Sequence, residues 1–243
     1  MTAHRNDTLR RRALLGASIA ASLALGLPGM AQAQSQAQLQ AADPATDTVR
    51  RLMVLSTQTA LNRLGQPNAF LLSNVARFGM PVLFTKGATG VGPLAQPAFR
   101  QQLIQRLNQI AESGARGAVP AMAEASRKLP IPNASALLHG RPTAATSALR
   151  LEMGSGLVNA LRGPIEQALI AARDPTIAQA VAALPGVTLG DVAQAIALSA
   201  DNGIWYEIGA AEVDIRANPA ASGDAVLAAG LTPQPVIAPV PPR

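Results

Sequence analysis

Apolar positions recur at helical spacing through most of residues 45–231, and β-branched alternation is nearly absent. Val49, Leu52, Met53, Ser56, Ala60 and Leu64 share one stripe and predict a helix over 46–64. Gly65 stops it and Pro67 blocks its continuation. Residues 70–84 are apolar without a clean period, cut by Gly79 and Pro81, and a loop follows over 85–97. Pro97 suits a first helical position; Phe99, Leu103, Leu107, Ile110 and Ala111 then set an apolar face. Pro120 starts or kinks a second piece reaching Lys128. A short helix over 133–139 ends at Gly140, and a longer one over 143–173 is expected to kink at Gly163-Pro164. Asp174-Pro175 is a capping residue before a first-turn proline, and Pro185-Gly186 closes that helix. Thr188 and Asp191 make a capping-box pattern that opens the last helical region. The fold class is therefore all-α: a single multi-helix, bundle-like domain of about seven helices over 45–231.

The two ends read differently. Residues 1–33 carry an Arg-rich start, an apolar run from Ala13 to Leu27, and the A-x-A cleavage pattern of Ala31 and Ala33. This is an export signal peptide, with cleavage expected after Ala33 and a periplasmic destination. Arg11-Arg12-Ala13-Leu14-Leu15 resembles the twin-arginine export motif, but Arg10 and Gly16 depart from it, so the general secretory route stays open. Residues 34–44 are polar, rich in Ala and Gln, and expected to be a disordered linker. Residues 232–243 hold five Pro in twelve positions and read as a disordered, extended tail.

The full chain carries net charge +6, but the signal holds four of the 20 basic residues and one of the 14 acids, leaving +3 after cleavage. Much of the basic excess is thus targeting. No Cys is present, which removes disulfides, thiolate catalysis and thiolate metal sites.

Four segments, in order, carry a family resemblance: LNRLGQPNAFLLSNVARFGMP (61–81), LNQIAESGARGAVPAM (107–122), NASALLHGRPTAATSAL (133–149) and DNGIWYEIGAAEVDIRANP (201–219). They resemble the motifs of a bacterial family of exported proteins, domain of unknown function 4197. The matching positions include Gly65, Pro67, Glu112, Pro120, Gly140, Glu212, Arg216 and Pro219. The chain departs from the family pattern at Arg141-Pro142, at Ala148-Leu149, and at Gly209-Ala210-Ala211, where an acidic triplet is reduced to Glu212. A site built on those acids would be weakened in this divergent member. The resemblance implies an exported, mostly helical domain and brings no known reaction.

The remaining residues offer little chemistry. His139 is the only His after cleavage and sits at a helix end, where it is expected to serve the terminal carbonyls. Ser135, Ser147 and Ser155 lack a nucleophile-elbow setting. Glu207 and Asp214, seven apart, share a helix face about 10.5 Å apart. Glu212 sits at the i, i+4 offset to Arg216 and is expected to form a surface ion pair. Ile204, Ile208, Ala211 and Ile215 make the buried stripe of that helix, with Trp205 and Tyr206 in neighbouring directions, one of them against the core edge. The loop over 85–97 lacks the Gly-Lys-Ser/Thr ending of a phosphate loop, and no cofactor or metal is expected. The arginines at 50, 51, 63, 77, 100, 106, 116 and 127 are spread along helices without aromatic stacking partners, which disfavours nucleic acid as a partner.

The leading expectation is a periplasmic helical protein that binds or scaffolds without catalysis, an envelope protein being a possible partner. One alternative is an enzyme with a site near Glu112, His139 and Glu207. The other is a protein that uses its arginines on an anionic membrane surface.

Overall fold

A computed structural model describes residues 43–85 and 92–232 of the chain. The signal features Arg11, Arg12, Ala31 and Ala33, the linker before residue 43, and the tail from 233 lie outside the described residues. Within them there are nine α-helices, three short 3-10 turns and no strand. The all-α expectation holds, and the helix count rises from seven for identifiable reasons.

Helix α1 spans Pro44–Leu64. It starts earlier than its apolar stripe because Asp43 accepts from the backbone N–H groups of Ala45 and Thr46, with Pro44 in the first turn. Helix α2, Ala69–Leu72, is a single turn within the segment that lacked periodicity, entered through Asn68 at a left-handed φ of 63°. Helix α3, Pro97–Lys128, is one element, so Pro120 neither starts a new helix nor ends the old one. Pro120 removes a hydrogen bond to the Arg116 carbonyl, but both residues are exposed, so water can take that carbonyl.

Helices α4 (Ala134–His139), α5 (Ala144–Met153), α6 (Gly156–Ala172) and α7 (Pro175–Ala182) follow. The expected 143–173 helix is thus divided, but at Gly154, not at Gly163-Pro164. Gly154 adopts φ 52°, which an L side chain rarely accepts, whereas Pro164 lies inside an unbroken α6. Helix α8 spans Leu189–Ala217 and opens with both hydrogen bonds of the Thr188–Asp191 capping box. Helix α9, Ala225–Leu231, was not anticipated; Asp224 caps it through Val226 and Leu227.

The four long helices form a ring of contacts, α1 on α3, α3 on α6, α6 on α8 and α8 on α1. Their stripes meet in one core that includes Leu52, Leu61, Leu107, Met122, Leu161, Ile196 and Ile208. Each such side chain contributes about 1.5–3 kcal/mol on burial, so the ring carries most of the stability. Small residues set its spacing: a Cβ at Gly117 would lie 2.4 Å from Pro164 Cβ, and one at Gly114 would lie 2.3 Å from Ile165 Cγ1. The short helices close the ends and edges of this ring, and α5 lies along α8.

Candidate functional site

The motif residues pair with one another inside the fold. Glu212 is fully buried and accepts from the Ala145 N–H at 3.1 Å and the Thr146 N–H at 2.7 Å, at the start of α5. Arg216 donates to Glu212 at 2.7 Å and to the carbonyls of Leu137 and Leu138, each at 2.7 Å, at the end of α4. One ion pair on α8 therefore satisfies two free N–H groups and two free carbonyls on either side of Gly140. The expected surface pair is in fact buried, and Arg216 takes the capping role expected of His139. Gly140 belongs to the same corner, where a Cβ would lie 2.4 Å from the Ala136 carbonyl oxygen.

The first two segments meet in the same manner. The Asn108 side chain is fully buried and acts as a backbone surrogate, accepting from the Phe78 N–H at 3.2 Å and donating to the Phe78 carbonyl at 2.9 Å. Arg116 donates to the Gly65 carbonyl. Glu112 lies 5% exposed beneath the turn after α1, and its Oε1 has no hydrogen-bond partner. Burial pushes the Glu112 carboxyl above its ordinary value, opposed by the backbone N–H groups of Asn68 and Phe70 and by the Arg116 charge. Pro67 is exposed in that turn, and Pro219 opens a 3-10 turn after α8.

Glu112, His139 and Glu207 share no hydrogen-bond or ion-pair partner among the described residues. His139 is exposed and makes no side-chain hydrogen bond or ion pair among the described residues. Glu207 accepts from the Ser73 hydroxyl at 2.8 Å and lies 3.8 Å from Arg63, which also reaches Asp214 at 3.5 Å. Arg63 thus stands between the two acids that share a face of α8. Among the described residues no three His, Asp or Glu side chains are grouped to hold a metal ion. The arginines are largely engaged: Arg51 with Asp47 and Asp224, Arg106 with Asp174, Arg127 with Glu124, and Arg100 with the carbonyls of Leu94 and Ala95.

A groove of about 560 Å³ lies between α5 and α8. Thr143, Thr146, Ser147 and Arg150 line it from α5 and the residue before it; Asn202, Trp205, Tyr206, Gly209, Ala210, Val213 and Asp214 line it from α8. Its volume falls in the range of small-molecule and peptide sites. Trp205 is 2% exposed, whereas its neighbour Tyr206 is 63% exposed. The Arg150 guanidinium sits over the Trp205 ring, 5.9 Å from its centroid, bonds Asn202, and lies 3.4 Å from Asp201. Burial pushes the Asp201 carboxyl up, while the Arg150 charge and the nearby Trp205 indole pull it back. Gly209 keeps the groove open, since a Cβ there would come within 3.3 Å of Thr143 Cγ2. The α5 side escaped notice in the sequence, although Thr143, Ser147 and Arg150, spaced by four and three, already share a helix face.

The fold and its groove define a class: a helical domain whose buried acids hold its own backbone, with an open cleft of mixed aromatic and hydroxyl character. The chain belongs to the family described as "Protein of unknown function (DUF4197)", which it matches over residues 39–229. No curated protein and no solved structure matches it significantly.

Proposed function

We propose that the chain is an exported, periplasmic helical protein that binds a partner in the groove between α5 and α8 and performs no reaction on it. The observation that carries this reading is the character of the groove. It offers an exposed aromatic ring, hydroxyls, an amide and a guanidinium on an apolar floor, without a paired base and nucleophile. The Ser147 hydroxyl donates to the Thr143 carbonyl at 2.9 Å, and the carboxylate that lines the cleft, Asp214, is engaged by Arg63 at 3.5 Å. Such a surface suits an extended envelope-protein segment that presents both polar backbone and apolar side chains. The signal pattern over 1–33 supports export, by either route.

Trp205 is the only Trp of the chain and lies in the groove, so its emission reports on occupancy. Titration with fractionated envelope components should shift that emission saturably. Tyr206→Ala should weaken binding about tenfold, as expected for an aromatic anchor. The exported protein should begin at Gln34 by intact mass. Turnover in a broad hydrolase screen that disappears in His139→Ala, or no emission change with any fraction, would overturn the reading.

A further inference from the structure

A second concavity of about 380 Å³ lies between α1, the end of α3 and the turn before α9. Arg50, Arg51 and Arg127 line it together with Asp47 and Asp224. Three guanidiniums face two carboxylates, and the pairing is uneven. Arg51 alone engages both acids, Asp47 at 2.8 Å and Asp224 at 3.0 Å. Asp224 is committed further, since its Oδ1 caps α9. Arg127 is held at 3.1 Å by Glu124, which does not line the concavity. Arg50 has no carboxylate within 4.0 Å among the described residues. Its Nε is buried and lacks an acceptor.

The buried Nε is closed to a ligand in the concavity, but the terminal nitrogens of Arg50 make no hydrogen bond among the described residues and form a planar fork suited to an oxyanion. Arg50 comes from α1 and Arg127 from α3, and both line this one concavity. A tetrahedral anion offers oxygens in more than one plane, whereas a carboxylate offers only one. Val54 supplies an apolar flank. We infer that this concavity is a binding site for a phosphate-type oxyanion, with Arg50 as its principal ligand and Arg127 as the second. Free phosphate and the phosphate of a lipid headgroup share this chemistry. The site is independent of the groove between α5 and α8.

The test is calorimetric titration of the purified protein with inorganic phosphate at low ionic strength, with chloride and acetate as controls. Saturable binding of phosphate, stronger than of acetate, is expected. Arg50→Gln should weaken it about tenfold or more, the effect of losing a charge-assisted pair. Arg50→Lys keeps the charge but loses the fork and should fall between the two. Arg77, exposed and lining neither concavity, provides the control: Arg77→Gln should bind as the parent does. Far-UV circular dichroism checks the fold of each variant. Vesicles of phosphatidylglycerol or phosphatidylcholine separate the two sources. Arg50-dependent capture on phosphatidylglycerol vesicles assigns a headgroup, and phosphate binding without capture assigns the free ion. Absence of saturable phosphate binding, or equal affinity in parent, Lys and Gln variants, overturns the site.

Discussion

Glu212 shows how much one side chain can organise when it is buried with its partners. It holds two N–H groups of α5 and the Arg216 guanidinium, and Arg216 in turn holds two carbonyls of α4. Removing the carboxylate leaves a guanidinium and two backbone donors without an acceptor. Glu212→Ala should therefore destabilise the fold by about 3–5 kcal/mol, measured by urea denaturation. A loss below 1 kcal/mol would show that water replaces the carboxylate. The i, i+4 pairing of Glu212 and Arg216 was legible in the sequence; its burial was not. Helical spacing says which residues lie beside each other on α8, but not that α4 and α5 fold over that face. The same limit applies to His139, whose position at a helix end was correct and whose capping role went to an arginine far along the chain.

Helix boundaries depended on local chemistry more than on apolar period. Caps at Asp43, Asp174, Thr188 and Asp224 fixed four starts, three of them preceding segments already read as helical. Pro120 and Pro164 both lie within continuous helices, because a proline tolerated inside a helix looks the same in sequence as one that ends it. Gly154, with its left-handed φ, was the real break. Two glycines elsewhere separate packing from propensity. A Cβ at Gly203 on α8 would lie 2.5 Å from Ala76 Cα and 2.8 Å from the Val75 carbonyl oxygen, neither of which can rotate away. Gly203→Ala should cost about 1–3 kcal/mol by forcing α8 off the 73–78 segment. A Cβ at Gly163 on α6 would meet nothing within 4 Å other than its chain neighbours, one of which is Pro164. Gly163→Ala should cost less, staying within about 1 kcal/mol of the parent, because the gain in helix propensity is set against crowding of the new Cβ by the Pro164 ring. Thermal denaturation should therefore show a clearly larger fall for Gly203→Ala than for Gly163→Ala; equal falls would contradict this assignment.

For the molecule as a whole, two sets of acids give stability opposite slopes with pH. Hydrogen bonds lower the pKa of Asp43 through the Thr46 side chain, of Asp191 through the Thr188 side chain, and of Asp224 through the Leu227 backbone. Their contribution is present above the ordinary Asp value of 3.8 and is lost as pH falls through their lower folded values. Burial raises Glu112 above 4.5 and Asp201 above 3.8. For these two the folded state holds the proton more tightly, so stability declines as pH rises from the ordinary value through the raised one. Urea midpoints from about pH 3 to about pH 8 should therefore rise as the caps ionise and then decline. Glu112→Gln, which fixes the uncharged form, should flatten the declining limb. An unchanged slope in that variant would remove Glu112 from the account. The all-α class, the single core and the family were legible from periodicity and motifs. The groove was not, because it is formed by two helices whose mutual approach no local pattern encodes.

The corner around Gly140 also has a consequence in time. Its carbonyls and N–H groups wait for partners 66 to 79 residues further along the chain. During synthesis, α4 and α5 emerge before the residues that join them. Until residues 212 and 216 arrive, that corner lacks its anion and its cation, and the early helices associate through contacts that do not involve α8, chiefly α1 on α3 and α3 on α6. A late segment thus locks a turn made much earlier in the chain, so truncation within α8 would release a corner that lies upstream of the cut.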